Sequence, residues 1–175
     1  MKRLTLLRHA TADTKDARVA DFDRPLNRKG ISESTAMAKR LLERELIPEF
    51  VLTSPAVRAQ QTTEIFVREL EIPLRKIRKD ERLYLAHADD ILEAIRATGP
   101  RIAHLMVVGH NPGLTELARR LTPADLEELP TASICTMQFD ASAWVDIAPG
   151  QARNVECEAP KGGFGFWSAL STRAR

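Results

Sequence analysis

The sequence has few cysteines, no long apolar run and almost no net charge, and each of these excludes a class of protein. Cys135 and Cys157 are the two cysteines among the 175 residues. They could pair, but two cysteines without metal-ligand spacing around them are more typical of a reducing compartment, so we expect free thiols. The longest apolar runs, around residues 4–7 and 105–108, are far shorter than the roughly 20 residues that cross a bilayer. We therefore expect no transmembrane helix.

The charge balance and the amino terminus indicate which partners and which compartment to expect. Lysine and arginine number 26 and aspartate and glutamate 24, which leaves a formal net charge of +2. A net charge this small produces no strong positive potential that could bind a nucleic-acid backbone. Met1-Lys2-Arg3 leads directly into a strand-like segment without the apolar stretch of a signal peptide, which predicts a cytoplasmic protein. The length and the globular composition, with 43% hydrophobic residues, predict one domain over residues 1–175.

Short apolar runs alternate with helical patterns through the first two thirds of the chain. Strands are predicted at residues 4–7, 50–53, 74–77 and 102–108. Helices are predicted from residue 30, from Ser54 as N-cap, around residues 89–95 and after Asn111-Pro112. Beyond Pro130 the alternation has period two, with a strand at 135–139 and a hairpin return at 144–147. The pattern predicts a three-layer α/β/α sandwich, mostly parallel, with antiparallel edge strands.

Four basic or titratable residues follow predicted strands directly. Ligands of such sheets bind beyond the carboxyl ends of the strands, and the residues at those ends are Arg8, His9, Arg58 and His110. The planar guanidinium group of arginine donates paired hydrogen bonds to phosphate oxygens, and a neutral imidazole is a competent nucleophile. Phosphoryl transfer needs little beyond positioned positive charge and N–H donors. These residue types at these positions therefore predict a phosphoryl-transfer site.

Each of these residues has a less specific interpretation when taken alone. A histidine at a strand end is more often hydrogen-bonded structure than a catalyst, and a lone arginine more often forms a surface salt bridge. His9, His104 and His110 could be metal ligands, but they lack metal-ligand spacing and interleaved carboxylates, so we expect no metal site. The occurrence of all four residues at predicted strand ends favours the catalytic interpretation.

Three strings in the sequence together resemble the histidine phosphatase, or phosphoglycerate-mutase-like, superfamily. They are Leu7-Arg8-His9-Ala10-Thr11-Ala12, Ser54-Pro55 with Arg58 and Gln61-Thr62, and Gly109-His110-Asn111-Pro112. The stretch from Asp21 through Arg24 to Leu26, followed by Gly30, is similar to the SixA-type phosphohistidine phosphatases. The resemblance implies the phosphoglycerate-mutase-like fold and no cofactor or metal.

The resemblance also implies a role for each of the matching residues. His9 would be the nucleophile that forms a phosphohistidine, and Arg8, Arg58 and His110 would clamp the phosphate, with His110 cationic when phosphate is bound. Asp21 and Arg24 would lie in the substrate-binding loop above the pocket, or form only a salt bridge within that loop. Asn111 would lie at the substrate site and cap the following helix.

The sequence departs from the family pattern at the general acid. Family members that act on phosphate esters place a glutamate after a leucine beyond the third strand, whereas Leu83 is followed here by Tyr84 and Leu85. A positioned acid contributes about 10²–10⁴-fold to the loss of an alkoxide. Its absence favours a phosphoramidate substrate, unless one of four carboxylates folds inward: Asp21, Glu81, Asp89 or Asp90.

Several functions stay open from the sequence. The chain has no room for an inserted lid, which favours a phosphohistidine on a protein, such as a phosphotransfer domain, as the substrate. A broad phosphomonoesterase acting on small molecules and a non-catalytic phosphate-binding regulatory module are the alternatives, and a mutase would need a second phosphate position. We expect the glycine- and aromatic-rich residues 161–167 to pack across the sheet edge.

Overall fold

The computed structural model describes residues 1–14, 16–123 and 125–161. Within these residues the strands are β1 (Lys2–Arg8), β2 (Phe50–Thr53), β3 (Ile77–Lys79), β4 (His104–Gly109), β5 (Ile134–Phe139) and β6 (Arg153–Glu158). The α-helices are α1 (Arg28–Glu43), α2 (Val57–Glu69), α3 (Ala88–Arg96) and α4 (Gly113–Leu121). No helix of the described residues is long and apolar enough to span a bilayer.

The six strands form one mixed sheet in the order β3-β2-β4-β1-β5-β6. β3, β2, β4 and β1 pair in parallel, whereas β5 and β6 pair antiparallel at one end of the sheet. Apolar side chains of α3 and α4 pack on one face and those of α1 and α2 on the other. The predicted three-layer α/β fold with antiparallel strands at one edge is therefore confirmed.

Two elements begin later in the chain than the sequence predicts. Residues 74–76 form a 3-10 helix, and the third strand begins only at Ile77, where pairing with β2 becomes possible. Helix α2 begins at Val57 with Ala56 as its N-cap, so the predicted N-cap at Ser54 is wrong. The Ser54 hydroxyl instead lies within hydrogen-bond distance of the His110 ring. Each difference reflects pairing between distant segments.

The predicted hairpin return at 144–147 is also wrong. Trp144 begins a 3-10 helix, and its buried indole donates a hydrogen bond to the carbonyl of Ile102. The carbonyl of Ile147 accepts hydrogen bonds from Arg96, which fixes this segment against α3 instead of the sheet. The strand that returns beside β5 is β6. Of the glycine- and aromatic-rich stretch, residues 162–167 lie outside the described residues.

The expectation of free thiols is corrected by the pairing of the last two strands. Cys135 and Cys157 lie directly opposite each other in the β5–β6 ladder, with their Cα atoms 4.0 Å apart, and their side chains form a disulfide. The two residues are 22 positions apart in the chain. Only the register of the antiparallel pair brings them together.

Candidate active site

The carboxyl ends of three adjacent strands bring the predicted site residues together. Arg8 is the last residue of β1 and pairs with Gly109 at the end of β4, so His9 and His110 follow two neighbouring strand ends. Arg58 is the second residue of α2, which follows β2 on the other side of β4. All of them line one open cavity of about 600 Å³. Its lining also includes Asp21, Arg24 and Asn111, together with Tyr84 and Leu85.

The His9 ring is held so that one nitrogen is available to react. Its Nδ1 lies 2.8 Å from the carbonyl oxygen of Ala10, which can only accept, so Nδ1 carries the proton and Nε2 the lone pair. Burial, and then the positive charges of Arg58 and Arg8, lower the pKa of His9 to about 4, against the opposing effect of the Ala10 hydrogen bond. The imidazole is therefore neutral at neutral pH, with an unprotonated Nε2.

The His110 ring lies beside that of His9, with the ring centroids 5.0 Å apart. A guanidinium can only donate, so the contact of 3.4 Å from Arg58 Nη2 makes Nδ1 of His110 the acceptor. Nε2 then carries the proton and donates to the Ser54 hydroxyl at 2.7 Å. Burial, followed by the nearby His9 and Arg58, lowers the pKa of His110 to about 3, so this ring is neutral in the free protein.

Ser54 is a site residue that the sequence interpretation missed. It is fully buried, its backbone N–H donates to the carbonyl of Val108, and its hydroxyl accepts from the backbone of Ala56 as well as from His110. The available signal was its position directly after β2, because β2 pairs with the strand that ends before His110. The serine fixes the orientation of the His110 ring.

Arg8 and Asn111 are tied to the same backbone carbonyl. Arg8 Nη1 donates to Leu129 at 2.7 Å, and the side-chain amide of Asn111 donates to it at 2.8 Å. The N-cap of α4 is Pro112, so the predicted cap at Asn111 lies one residue too early, but the Asn111 oxygen still accepts from the backbone and hydroxyl of Thr115 in the first turn. The exposed Glu128 carboxylate lies 3.7 Å from Arg8 Nη1. The structure thus gives the Asn111 side chain a structural contact, and its substrate role stays a prediction.

Asp21 accepts hydrogen bonds from three side chains at the site. Arg24 donates to Oδ1, while Arg58 and Tyr84 donate to Oδ2 at 3.1 and 2.9 Å. Burial, the largest single effect, raises the pKa of this carboxyl, but Tyr84, Arg58 and Arg24 together outweigh it and lower the pKa to about 2. Asp21 and Arg24 therefore form the salt bridge considered from the sequence, and they do so within the cavity lining.

None of the four carboxylates that could replace the missing general acid lies in the cavity with a proton to donate. Asp21 is the one of the four that lines the cavity, and its low pKa leaves it without a proton to donate. Glu81 is exposed, Asp90 accepts from the backbone of His87, and Asp89 pairs with Arg120. Among residues 1–14, 16–123 and 125–161, no three of the His, Cys, Asp and Glu residues are grouped around a possible metal position.

Comparison with known proteins identifies the family. The model of the histidine phosphatase superfamily (branch 1) matches residues 4–84. An uncharacterized protein of Mycobacterium tuberculosis is 33% identical over 165 residues, which cover 89% of this chain and all of that protein. A putative phosphohistidine phosphatase SixA from Agrobacterium tumefaciens has a structure with 30% identity and a TM-score of 0.74 over 79% of this chain and 92% of its own.

A second solved structure is similar over more of the chain. The protein histidine phosphatase SixA complexed with tungstate has 26% identity and a TM-score of 0.76, covering 90% of this chain and 97% of its own. Sequence identity and fold thus agree with the arrangement of two histidines and two arginines at the strand ends. This chain belongs to the histidine phosphatase superfamily and, within it, to the SixA-type proteins.

Proposed function

We propose that this protein is a phosphatase that hydrolyses phosphohistidine by transferring the phosphoryl group to Nε2 of His9. The observation that carries the proposal is the state of this ring: Nδ1 donates to Ala10, and Nε2 is an unprotonated acceptor that faces the cavity beside Arg58 and His110. An imidazole nucleophile needs this protonation state, and the phosphoryl group needs the positive charge around it.

The first step forms one P–N bond and breaks another. The Nε2 lone pair attacks phosphorus, and the electron pair of the substrate's P–N bond returns to the departing imidazole nitrogen. If the substrate ring carries a proton on its other nitrogen, it departs as neutral imidazole and needs no acid. The His9 ring then carries phosphorus on Nε2 and the proton on Nδ1, and the carbonyl of Ala10 accepts from the positively charged ring.

The second step returns the enzyme to its starting state. Water attacks phosphorus, the P–Nε2 bond breaks with its electron pair on Nε2, and the proton of the water passes to solvent or phosphate. Arg8 and Arg58 stabilise the negative charge on the phosphoryl oxygens in both steps. Bound phosphate, a dianion, raises the pKa of the neutral His110, whose Nδ1 then takes a proton and donates to an equatorial oxygen.

The ionised state of Asp21 favours a P–N over a P–O substrate. An alkoxide leaving group needs a proton in the transition state, and Asp21, the one of the four candidate carboxylates that lines the cavity, has a pKa lowered to about 2. A protonated phosphohistidine makes no such demand. The proposed specificity therefore follows from the leaving group that the site can release without an acid.

The shape of the surface supports a substrate carried on a protein. The cavity at His9 adjoins a second cavity of about 310 Å³, with which it shares Arg8 and Asn111. It adjoins a third cavity of about 350 Å³, with which it shares Thr131. Neighbouring open cavities beside the phosphate position leave room for a macromolecule. We propose a phosphorylated protein, such as a histidine phosphotransfer domain, as the partner.

The test compares phosphohistidine with simple phosphate esters at matched concentration. We expect release of phosphate from a phosphohistidine protein or from free phosphohistidine, slow release from sugar phosphates, and no release in the His9→Ala variant. His87→Ala is the matched control, because His87 is exposed outside the cavity, and it should retain full activity. Full activity of His9→Ala would remove the assigned nucleophile, and a high rate on sugar phosphates would instead show a broad phosphomonoesterase.

A further inference from the structure

Tyr84 lies at the site although none of the three strings that predicted the site contains it. It follows the 3-10 helix of residues 81–83 and precedes α3, on a different segment from the histidines and arginines. Its hydroxyl donates to Oδ2 of Asp21 at 2.9 Å. Its ring contacts two others edge-on, with centroids 5.1 Å from Phe22 and 5.6 Å from His110.

The segment that carries Tyr84 is fixed against helix α4. A Cβ added to Gly113 would lie 2.0 Å from the carbonyl oxygen of Ala86, so only glycine permits this close approach. Leu85, between Tyr84 and Ala86, has a φ of 47°, in the left-handed region that leucine rarely adopts. The backbone around Tyr84 is thus held in one conformation by its contact with the start of the helix that follows His110.

The oxygen that Tyr84 contacts also binds Arg58. Arg58 Nη1 donates to the backbone carbonyl of Asp21 at 2.6 Å and Nη2 to its Oδ2 at 3.1 Å. The same guanidinium donates through Nε to Nε2 of His9 and through Nη2 to Nδ1 of His110. Asp21 therefore holds the guanidinium from one side, while the phosphate position lies toward the histidines.

The hydrogen-bond arrangement does not suit Tyr84 as a proton donor to the leaving group. Its proton is directed at the Asp21 carboxylate. Burial, and then the negative charge of Asp21, raise the pKa of the phenol above its usual value. A phenol that already donates to an anion gives up its proton less readily.

We propose that Tyr84 is a positioning residue that orients Arg58 toward the phosphate by holding the Asp21 carboxylate between them. The inference rests on the proposed phosphoryl transfer at His9. Without the phenol, Asp21 loses one of its donors and its contact with the segment before α3. Arg58 is then held less firmly in the orientation that faces His9 and His110.

The Tyr84→Phe variant tests this proposal, because it keeps the ring and removes one hydroxyl. Thr98→Val is the matched control, since it removes a buried hydroxyl at the end of α3, outside the cavity lining. The probes are the binding of inorganic phosphate and the rates on phosphohistidine, p-nitrophenyl phosphate and an alkyl phosphate. We expect Tyr84→Phe to weaken phosphate binding and to lower kcat/KM for all three substrates by the same factor, about 3- to 10-fold.

The leaving-group series separates positioning from acid catalysis. A loss in Tyr84→Phe that grows with the pKa of the leaving group would show that Tyr84 is a general acid and overturn the proposal. Unchanged phosphate binding and rates would overturn it as well, as would an equal loss in Thr98→Val. If the wild-type protein binds phosphate but forms no phosphohistidine on His9, the proposed function fails, whereas the phosphate-binding comparison still decides the role of Tyr84.

A spectroscopic measurement supports the same decision. The chain contains a single tyrosine, so the ultraviolet absorbance of the phenolate reports on Tyr84 alone. The phenol should titrate above its ordinary pKa of about 10 in the wild-type protein and closer to that value in Asp21→Asn. An unchanged titration in Asp21→Asn would show that the phenol does not interact with this carboxylate and would contradict the proposal.

Discussion

Replacing Ser54 by alanine removes one hydroxyl from the buried side of the cavity and leaves Nε2 of His110 without its partner. The contact is 2.7 Å long, and both residues are buried. Alanine is smaller by one oxygen, so the main cost is the lost acceptor of two buried N–H groups, that of His110 and, over a longer contact of 3.3 Å, that of the Ala56 backbone, together about 1–3 kcal/mol. We expect Ser54→Ala to lower the free energy of unfolding by that amount.

Activity should fall as well, because the ring of His110 loses its fixed orientation and tautomer. A loss of about 1.4 kcal/mol in transition-state stabilisation corresponds to about tenfold in kcat/KM. We expect a loss of this order for phosphohistidine. The ¹⁵N shifts of the His110 ring should also change, because Nε2–H no longer donates to an oxygen.

Urea denaturation, steady-state kinetics and the histidine ¹⁵N spectrum make up the assay. Thr63→Val is the matched control: Thr63 is buried on α2 and its hydroxyl bonds to Ala59 and Thr53, without touching a histidine. It should lose stability but retain kcat/KM. The role of Ser54 in orienting His110 would be refuted if Ser54→Ala left both the ¹⁵N spectrum of the His110 ring and kcat/KM unchanged. It would also be refuted if Thr63→Val lost as much activity as Ser54→Ala.

Further tests concern the pH dependence of stability, the charge beside Arg8 and the need for a metal. Burial lowers the pKa of His9 and His104 to about 4 and of His110 to about 3, so the unfolded chain, with histidine pKa values of about 6.5, binds protons first as the pH falls. The free energy of unfolding should therefore be highest above about pH 6.5. Between about pH 6.5 and pH 4 it should fall by up to about 1.4 kcal/mol per pH unit for each histidine. Urea midpoints that stay the same over this pH range would contradict the prediction. Glu128→Gln should tighten phosphate binding up to about 5-fold by calorimetry, because it removes an exposed anion 3.7 Å from Arg8; weaker binding would contradict this. Prolonged treatment with EDTA should leave phosphohistidine hydrolysis unchanged, and loss of activity that added metal restores would show that the site needs a metal.

The residues at the strand ends could be placed from the sequence because local patterns determine them. Arg8, His9 and His110 each interrupt an apolar run, and parallel strands bring their carboxyl ends to one edge of the sheet. Neither step needs knowledge of distant pairing. The positions of these residues around one cavity follow from the topology, and their catalytic roles stay a proposal.

Contacts between distant segments could not be predicted in this way. The Cys135–Cys157 disulfide depends on the register of β5 and β6, and the contact between Ser54 and His110 depends on the pairing of β2 with β4. In the sequence, Ser54-Pro55 has the usual pattern of a helix start. The tertiary hydrogen bond to His110 took precedence over that local preference, and the helix begins two residues later than predicted, at Val57.

Tyr84 shows a similar limit for the candidate site. From the sequence, Tyr84 is only the residue that follows Leu83, where family members that act on phosphate esters have a glutamate. Its hydroxyl reaches Asp21, which is 63 positions earlier in the chain. No periodicity or spacing in the sequence indicates such a contact.

In the proposed reaction the phosphoryl group passes through Nε2 of His9. Rapid quenching of the enzyme with ³²P-labelled phosphohistidine, followed by peptide mapping and ³¹P–¹⁵N correlation of the trapped species, measures this directly. We expect an acid-labile phosphohistidine on His9 with phosphorus bonded to Nε2, because Nδ1 donates to Ala10. Phosphorus on Nδ1, a phosphoryl group on another residue, or release of phosphate without any covalent species would contradict it.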